Sequence, residues 1–213
     1  MYGGVHVLTW NLKHGRAVPS AGHDLFGEFA AALGGWSWDV ALLQEVPPWW
    51  PARLPGSHRL VLTSRNSLLP VRRWVAERHP DLIKSNGGGC NAILVRGIRI
   101  DEHRVLRLGW VPERRWMHAV RLGSAWVANL HAAASFKQAQ LAGQAALSWA
   151  DGAPVVLGGD FNLTSLHLGG FELVASHRVD HVLARGLRRV AEPQILDRGR
   201  LSDHDPVVVD LTR

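Results

Sequence analysis

Cysteine, tyrosine and lysine are scarce in this chain of 213 residues. Cys90 is the single cysteine, which excludes an internal disulfide and any metal site built from several thiolates. No apolar run approaches the roughly 20 residues of a membrane-spanning helix, so we expect no membrane association. The first residues enter a strand-like alternation without a basic region or cleavage site, so we expect no standard secretion signal. These absences predict a protein of the reducing cytoplasm.

Arginine supplies most of the positive charge that lysine usually shares. The chain has 24 Lys and Arg against 18 Asp and Glu, for a net charge of +6, and only three of the 24 are lysines. Arginine binds phosphate oxygens bidentately, and a basic chain attracts polyanions. A genome-wide preference for arginine would give the same composition. Charge therefore favours a nucleic acid partner without establishing one.

The distribution of apolar residues predicts one domain that spans residues 1–213 and acts as a monomer. A chain of this length buries roughly 70% of its unfolded surface as a single domain, and no linker or repeat divides it. Short apolar runs between turn-forming residues predict many strands. Helical spacing predicts helices at 25–33, 71–77 and 136–150. The composition is that of a mixed α/β domain.

The segment at 155–165 draws attention because polar groups follow a buried strand there. An apolar run at 155–157 leads through two glycines to Asp160 and Asn162, whose side chains share one side if the segment is extended. Polar groups at the end of a core strand are costly unless something binds them. Gly, Asp and Asn also favour ordinary turns, so a turn without function explains this segment equally well.

Groups that can bind a metal ion or a phosphate recur at the ends of predicted strands. Each one alone has a structural explanation, such as a cap or a turn. Their repetition predicts a site for a hard cation, Mg²⁺ or Mn²⁺, with histidines suited to acid–base chemistry. The groups are Asn11, Glu45, His131, Asp160 with Asn162, Asp180, and Asp203 with His204.

Six motifs that carry these groups resemble the endonuclease/exonuclease/phosphatase superfamily. They are Thr-Trp-Asn at 9–11, Leu-Gln-Glu at 43–45, Asn-Leu-His at 129–131, Gly-Asp-Phe-Asn at 159–162, Val-Asp-His at 179–181 and Ser-Asp-His-Asp-Pro at 202–206. The resemblance implies a four-layered α/β sandwich, with two mixed β-sheets packed face to face and helices outside. It also implies Mg²⁺-dependent hydrolysis of a phosphate ester by direct attack of water.

The resemblance implies metal-binding roles for three of these residues. Glu45 would be the principal metal ligand, with Asn11 and Asp203 near the same ion or a second one. Asp160 and Asn162 would orient the attacking water and the phosphate.

The resemblance also implies roles for an Asp–His pair and a second histidine. His204, held by Asp180, would act as a base or contact a phosphoryl oxygen. His131 would bind phosphate or assist the leaving group. Asp205, which precedes a proline, is expected to be a structural cap.

The stretch between Asp160 and Asp180 is shorter than in most relatives, which predicts a more open site. The segment at 47–78, rich in proline, tryptophan and arginine, could supply substrate contacts instead. Its tryptophans, Trp49, Trp50 and Trp74, could stack on bases or serve only in packing. The candidate phosphate-binding arginines are Arg65, Arg72, Arg73 and Arg115.

The leading hypothesis is a Mg²⁺-dependent phosphodiesterase that acts on nucleic acid, either DNA or RNA with DNA favoured, as an endonuclease of low sequence specificity. One alternative is a phosphatase or phosphodiesterase of a small or lipid phosphoester. A steep salt dependence of DNA binding would distinguish the two. The other alternative is a non-catalytic nucleic-acid-binding protein, which is disfavoured because no group of the set is replaced. Apurinic endonucleases of this superfamily place a tyrosine near the position of His131; Tyr2 is the only tyrosine here, so the resemblance argues against a base-excision repair enzyme.

Overall fold

A computed structural model describes residues 4–63, 70–111 and 113–213, which form two β-sheets with helices on their outer faces. The strands are β1 (Val5–Asn11), β2 (Val40–Val46), β3 (Ser57–Leu62), β4 (Cys90–Val95), β5 (Glu102–Gly109), β6 (Arg115–Leu122), β7 (Ala125–His131), β8 (Val155–Asp160), β9 (Glu172–His177), β10 (Asp180–Arg185), β11 (Arg188–Arg189), β12 (Gln194–Ile195) and β13 (Val207–Thr212). The helices are α1 (Phe26–Gly35), α2 (Pro70–Arg78), α3 (Ser85–Gly88) and α4 (Phe136–Ala150).

Each sheet contains one parallel pair near its centre. The first sheet has the order β11-β13-β1-β2-β4-β3, with β12 on β13, and the second has the order β5-β6-β7-β8-β10-β9. The parallel pairs are β1 with β2, connected through α1, and β7 with β8, connected through α4. The carboxyl ends of two parallel strands lie at the same edge of their sheet. Each sheet therefore presents two such strand ends together.

Strand β1 shows how the alternation of side chains builds the layers. Val5 and Val7 belong to the apolar cluster between the two sheets, whereas Leu8 and Trp10 belong to the cluster that includes Phe29 of α1. Successive strand residues point to opposite faces, so residues 9 and 11 also face the second sheet. The first sheet thus has a helix-covered outer face and a sheet-covered inner face.

Strand β8 follows the same rule in the second sheet. Val156 packs between the sheets, and Val155 and Leu157 pack with Ala139 and Ala142 of α4. The molecule is therefore a sandwich with α/β/β/α layers, which confirms the predicted fold class. None of the helices in the described part of the chain combines the length and the apolar character that crossing a bilayer demands.

Several predicted elements appear with their expected bounds. Helix α4 covers residues 136–150 as predicted; Ser135 precedes it, but its side chain makes no capping hydrogen bond. Strands β9, β11 and β12 were not predicted. β9 buries only Val174 and Ala175, and the other two have two residues each, so none shows a clear period. Three consecutive glycines at 87–89 are typical of a turn, and the chain forms a single helical turn there, α3, followed by Gly89.

Asn129 joins the two sheets at their centre. Its Nδ2 donates to the backbone oxygens of Leu43 and Ala92, at 2.9 Å each, and its Oδ1 accepts from Nε2 of Gln44 at 2.8 Å. Asn129 is fully buried, so these bonds satisfy groups that water cannot reach. The motif residue Asn129 therefore holds β7 of the second sheet against β2 and β4 of the first.

Candidate active site

Three polar residues meet where the parallel strand pairs end. In the second sheet His131 is paired with Asp160, and in the first sheet Asn11 is paired with Gln44. Asn11 and Asp160 both point into the space between the sheets, and Asn11 Nδ2 donates to Asp160 Oδ2 at 3.0 Å. His131 Nε2 lies 3.4 Å from the same Asp160 oxygen. The sandwich therefore brings its two sheets together through polar groups at this edge.

Glu45 reaches the site through an irregularity in β2. Val40 and Leu42 face the second sheet, so regular alternation would turn residue 45 towards the outer face. The pairing of β2 with β4 instead shifts register between Leu43 and Val46, and Glu45 has a φ of 50°. Such bulges redirect side chains and are common beside active sites. Glu45 accordingly lines the same cleft as His131.

Asp180 and His204 form a close pair beside Asp160. Strand β10 runs antiparallel to β8, which sets Asp180 directly opposite Asp160. His204 Nδ1 lies 2.7 Å from Asp180 Oδ2, and its Nε2 lies 3.9 Å from Asp160 Oδ2. The backbone of the His204 loop is held by Trp10, whose Nε1 donates to the His204 oxygen at 2.9 Å. Nε2 is therefore the His204 nitrogen that faces the site.

The carboxylates around His204 favour its charged form. Burial opposes that charge, but the hydrogen bond with Asp180 and the charges of Asp180, Asp160 and Asp203 together raise the pKa of His204 to about 9. His204 is then an imidazolium at neutral pH, with Nδ1–H donated to Asp180 and Nε2–H free to donate.

The surroundings of Asp160 disfavour its charged form, since it shares a buried site with a second carboxylate. Burial and the charge of Asp180 raise the pKa of Asp160 to about 6, although His204, the Asn11 amide and the Asn162 N–H act against this rise. Asp160 and Asp180 are both nearly fully buried, and Asp180 Oδ1 has no hydrogen-bond partner within the described residues. The site is thus short of positive charge, and a bound cation would correct the deficit.

His131 is held as a neutral acceptor. Arg115 lies against its Nε2, and a guanidinium N–H can only donate, so the proton of this neutral imidazole lies on Nδ1. Burial, followed by the charges of Arg115, His204 and His14, moves the pKa of His131 well below its usual range. Arg115 also pairs with Glu113 at 2.8 Å. His131 therefore orients Arg115, and its Nε2 carries no proton to give.

His14 and Ser85 belong to the site, although no sequence pattern assigned a role to either of them. His14 Nε2 lies 3.1 Å from Glu45 Oε2, and His14 Nδ1 lies 3.0 Å from Ser85 Oγ. Burial lowers the pKa of His14, more than the charge of Glu45 raises it. In a neutral His14, Nε2–H donates a hydrogen bond to Glu45, and Nδ1 accepts a hydrogen bond from the Ser85 hydroxyl. The only sequence signal was the position of His14 just after β1.

The donors at this edge fit a hard divalent cation. Among the described residues, one group of three His, Cys, Asp or Glu side chains has its ligand atoms within 4.8 Å of one another: Asp160, Asp180 and His204. A His204 that donates to Asp180 is a poor ligand, because a metal needs the unprotonated imidazole. Carboxylate and amide oxygens of Glu45, Asn11 and Asp160 are the ligand types that Mg²⁺ and Mn²⁺ prefer.

Two of the predicted ligands are engaged with neighbours. Asn11 Oδ1 accepts the N–H of Lys13 at 2.9 Å, and Asp203 pairs with the Lys13 ammonium. This ammonium, together with the charge of His204, keeps the pKa of Asp203 below its usual range despite partial burial. Lys13 would have to move aside before Asp203 could bind a metal ion.

The prediction that residues 160 and 162 share one side of an extended segment is wrong. Strand β8 ends at Asp160, and Asn162 has a left-handed φ of 52°. The Asn162 N–H donates to Asp160 Oδ1 at 3.0 Å, which is an Asx-turn, and its side chain donates to the Ala132 oxygen at 2.9 Å. The segment is thus both a turn and part of the site, and Asn162 orients Asp160 through its backbone.

The predicted phosphate-binding arginines separate into different places. Arg72 and Arg115 line an open cleft of about 780 Å³ that also contains His14, Glu45 and His131. Arg73 does not reach this cleft, which corrects the prediction: it pairs with Glu77 and lines a second cleft beside Trp49. Neighbouring helical residues point about 100° apart, so Arg72 and Arg73 of α2 face different ways. Arg65 lies outside the described residues.

Of the remaining sequence candidates, Trp74 is 52% exposed, whereas Trp50 and Asp205 are engaged in packing or ion pairs. Trp50 is buried in the core. Asp205 pairs with Arg198 at 2.7 Å and with His177 at 3.0 Å, and neither contact involves Asp180 or His204.

Comparison with known proteins shows which family and which solved structures this chain is similar to. The model of the endonuclease/exonuclease/phosphatase family matches residues 8–204. An endonuclease/exonuclease/phosphatase from Bacteroides vulgatus superposes with a TM-score of 0.72 at 13% identity, covering 98% of both chains. One from Beutenbergia cavernae gives 0.70 at 21% identity, covering 98% of this chain and 71% of that one. TDP2 from Caenorhabditis elegans gives 0.68 at 14% identity, covering 99% and 75%. No characterised protein sequence matches the chain significantly.

The two stacked sheets and the Asp–His site at their edge define a class of α/β sandwich hydrolases. The chain belongs to the endonuclease/exonuclease/phosphatase family, because the family model covers it from β1 to His204.

Proposed function

We propose that this protein is a divalent-metal-dependent phosphodiesterase that cleaves nucleic acid, most simply a DNA endonuclease acting as a monomer in the cytoplasm. The observation that carries the proposal is the Asp180–His204 pair, whose Nε2 faces Asp160 across 3.9 Å at the mouth of the sandwich. Glu45 and His131 stand at the same edge and open onto a cleft lined with cations.

Asp160, His204 and Arg115 each have one role in the attack of water on the phosphate. Asp160, held by Asn11 and by the Asn162 N–H, is the carboxylate that orients a water molecule and accepts its proton. His204 donates Nε2–H to a non-bridging phosphoryl oxygen, and Asp180 keeps the ring protonated and fixed for that contact. Arg115, oriented by His131, binds a second phosphoryl oxygen.

The cation site is proposed to be formed by Glu45 and Asn11, with Asp160 beside them. A bound Mg²⁺ or Mn²⁺ would neutralise charge on the phosphoryl group and stabilise the leaving oxygen. Glu45 suits the main ligand because the bulge in β2 turns its carboxylate into the cleft.

Charge favours nucleic acid over a small phosphoester. The chain carries a net charge of +6, and the cleft beside the site is lined by four basic residues, Arg72, Lys84, Arg114 and Arg115, against two carboxylates, Glu45 and Glu113. A small phosphoester needs one or two cations, whereas a chain of phosphates benefits from a row of them.

Nicking of supercoiled plasmid tests the proposal. The wild-type protein should nick in Mg²⁺ or Mn²⁺ and not in EDTA. Asp160→Asn and His204→Ala should each lower the rate by ~10²–10⁴-fold. Asp151→Asn and His167→Ala, which remove the same groups at exposed positions outside the cleft lining, should nick at the wild-type rate.

A folded wild-type protein that leaves plasmid and single-stranded DNA intact but hydrolyses bis(p-nitrophenyl) phosphate with Mg²⁺ would refute the nuclease. It would favour hydrolysis of a small phosphoester by the same residues.

A further inference from the structure

Trp110 is exposed beside the proposed active site. It lies between β5 and β6, with 54% of its surface accessible, and it lines the cleft that contains Glu45 and His131. Several other tryptophans, such as Trp10, Trp38, Trp50 and Trp126, are buried. Single exposed apolar side chains are common at protein surfaces, and what distinguishes Trp110 is its position in the cleft beside the site, where its ring is open to a ligand.

Two arginines hold this ring in place. The guanidinium of Arg107, which is not part of the cleft lining, lies 3.8 Å from the centre of the Trp110 ring. The guanidinium of Arg114, which does line the cleft, lies 4.9 Å from it. Cation–π contacts of this kind fix an exposed ring without burying it in a core. Trp110 is therefore presented to the cleft together with a cation.

We propose that Trp110 and Arg114 form a stacking platform for an unpaired nucleobase next to the scissile phosphate. The inference rests on the proposed nuclease function and adds a substrate class to it: single-stranded nucleic acid, or an unpaired stretch within a duplex. Bases stack readily on aromatic rings and on guanidinium planes. Inside a duplex both faces of each base are covered by its neighbours, so away from duplex ends only an unpaired base can use the platform.

The rest of the cleft suits the same ligand. Arg115 lies next to Arg114 in the chain and contacts His131 of the site, so a strand seated on the platform meets a cation at its next phosphate. Leu82, which is 75% exposed, and Ile83 add apolar surface to the lining. The volume of about 780 Å³ is sufficient for a nucleotide and its neighbours.

Binding of labelled DNA in EDTA, followed by fluorescence anisotropy, tests the platform without cleavage. Three probes of equal length are compared: oligo(dT), an abasic strand with the same phosphates, and a dT·dA duplex. Trp110→Ala should weaken binding of oligo(dT) by ~10–100-fold, with changes below about twofold for the abasic and duplex probes. Trp110→Phe should recover most of the lost affinity.

Trp74→Ala is the matched control. Trp74 is 52% exposed and lies under Arg78 at 4.5 Å, but it does not line the cleft. This variant should bind all three probes like the wild type.

Equal weakening of all three probes by Trp110→Ala, or equal binding of oligo(dT) and abasic DNA by the wild type, would overturn the platform. Plasmid nicking by the wild type is scored separately. Nicking without base preference refutes only the platform, and base preference that depends on Trp110 without cleavage of either plasmid or single-stranded DNA supports the platform while refuting the nuclease.

Discussion

His14 connects the proposed metal ligand Glu45 to the hydroxyl of Ser85, and all three residues have a left-handed backbone. Their φ angles are 58°, 50° and 42°. Residues other than glycine adopt this conformation at a cost, and such strain collects at functional sites where neighbours impose it. Here the hydrogen bonds that join His14 to Glu45 and to Ser85 impose the conformation. His14 is therefore a positioning residue that fixes the Glu45 carboxylate.

His14→Gln should weaken Mg²⁺ binding by ~10–100-fold, the usual effect of removing a hydrogen-bond partner of a metal ligand. Ser85→Ala should weaken it less, because it acts through His14. Calorimetric titration with Mg²⁺ measures the effect directly, without substrate. His23→Gln, at an exposed position, is the control. Unchanged Mg²⁺ affinity in the His14 variant would remove the positioning role.

His118 makes the stability of the protein depend on pH. It is fully buried between the sheets, and within the described residues its ring makes one hydrogen bond, with His103 at 3.1 Å. Burial, followed by the charge of His103, lowers the pKa of His118 from 6.5 to about 3. The unfolded chain binds this proton below pH 6.5, but the folded chain binds it only near pH 3. The stabilisation is therefore complete above pH 6.5 and is lost as the pH falls towards 3.

As the pH is lowered from 6 to 4, the free energy of unfolding should consequently decrease in both proteins at different rates. The wild type should lose about 1.4 kcal/mol more per pH unit than His118→Gln. Urea unfolding at pH 7, 6, 5 and 4 gives both slopes. His23→Gln should retain the wild-type slope. Parallel slopes for the wild type and His118→Gln would mean that His118 is not buried in its neutral form.

At the scale of elements, β8 places Asp160 only because two glycines precede it. A Cβ on Gly159 would lie 2.1 Å from the Leu130 oxygen, and Gly159 has a φ of 137°. A Cβ on Gly158 would lie 2.7 Å from Leu42 of the first sheet. These glycines thus allow β8 to approach both its neighbouring strand and the opposite sheet.

Gly159→Ala should lower the free energy of unfolding by about 3 kcal/mol or more, because β7 and β8 must separate to admit the methyl group. Gly34→Ala is the control: it lies in the exposed last turn of α1 with nothing within 4 Å, so it should be neutral or stabilise by up to ~1 kcal/mol. Thermal or urea unfolding compares the two. A Gly159→Ala protein as stable as the wild type would contradict this packing.

The elements themselves were largely predictable, because their signals are local. The helix at 136–150 and the strand that ends at Asp160 follow from apolar spacing and flanking turn residues. The bulge at Glu45 was not predictable, since alternation along β2 alone turns this residue to the wrong face. It depends on the pairing of β2 with β4, which lies about 50 residues away.

At the scale of the whole molecule, the charge on the cleft should control nucleic acid binding. Four cations line the cleft, Arg72, Lys84, Arg114 and Arg115. If each contacts one phosphate, the logarithm of the affinity for single-stranded DNA should fall with the logarithm of salt concentration with a slope of about −3. Arg72→Ala should reduce that slope by ~0.7, and Arg73→Ala, its neighbour outside the cleft, should leave it unchanged. Anisotropy titrations from 50 to 200 mM salt measure all three slopes; equal slopes for the two variants would contradict the assignment of Arg72.

The sequence by itself determined the polar groups at the strand ends, because an apolar run and the turn signal after it are written within a few residues. Asp160, Asp180 and His204 could be proposed on that basis. Tertiary structure alone decided how they act. The antiparallel pairing of β8 with β10 sets Asp180 opposite Asp160. Arg115 donates a hydrogen bond to Nε2 of His131. Ser85 contacts His14, which lies 71 positions away in the chain. Such contacts depend on the folding of distant segments against one another, and no local pattern encodes them.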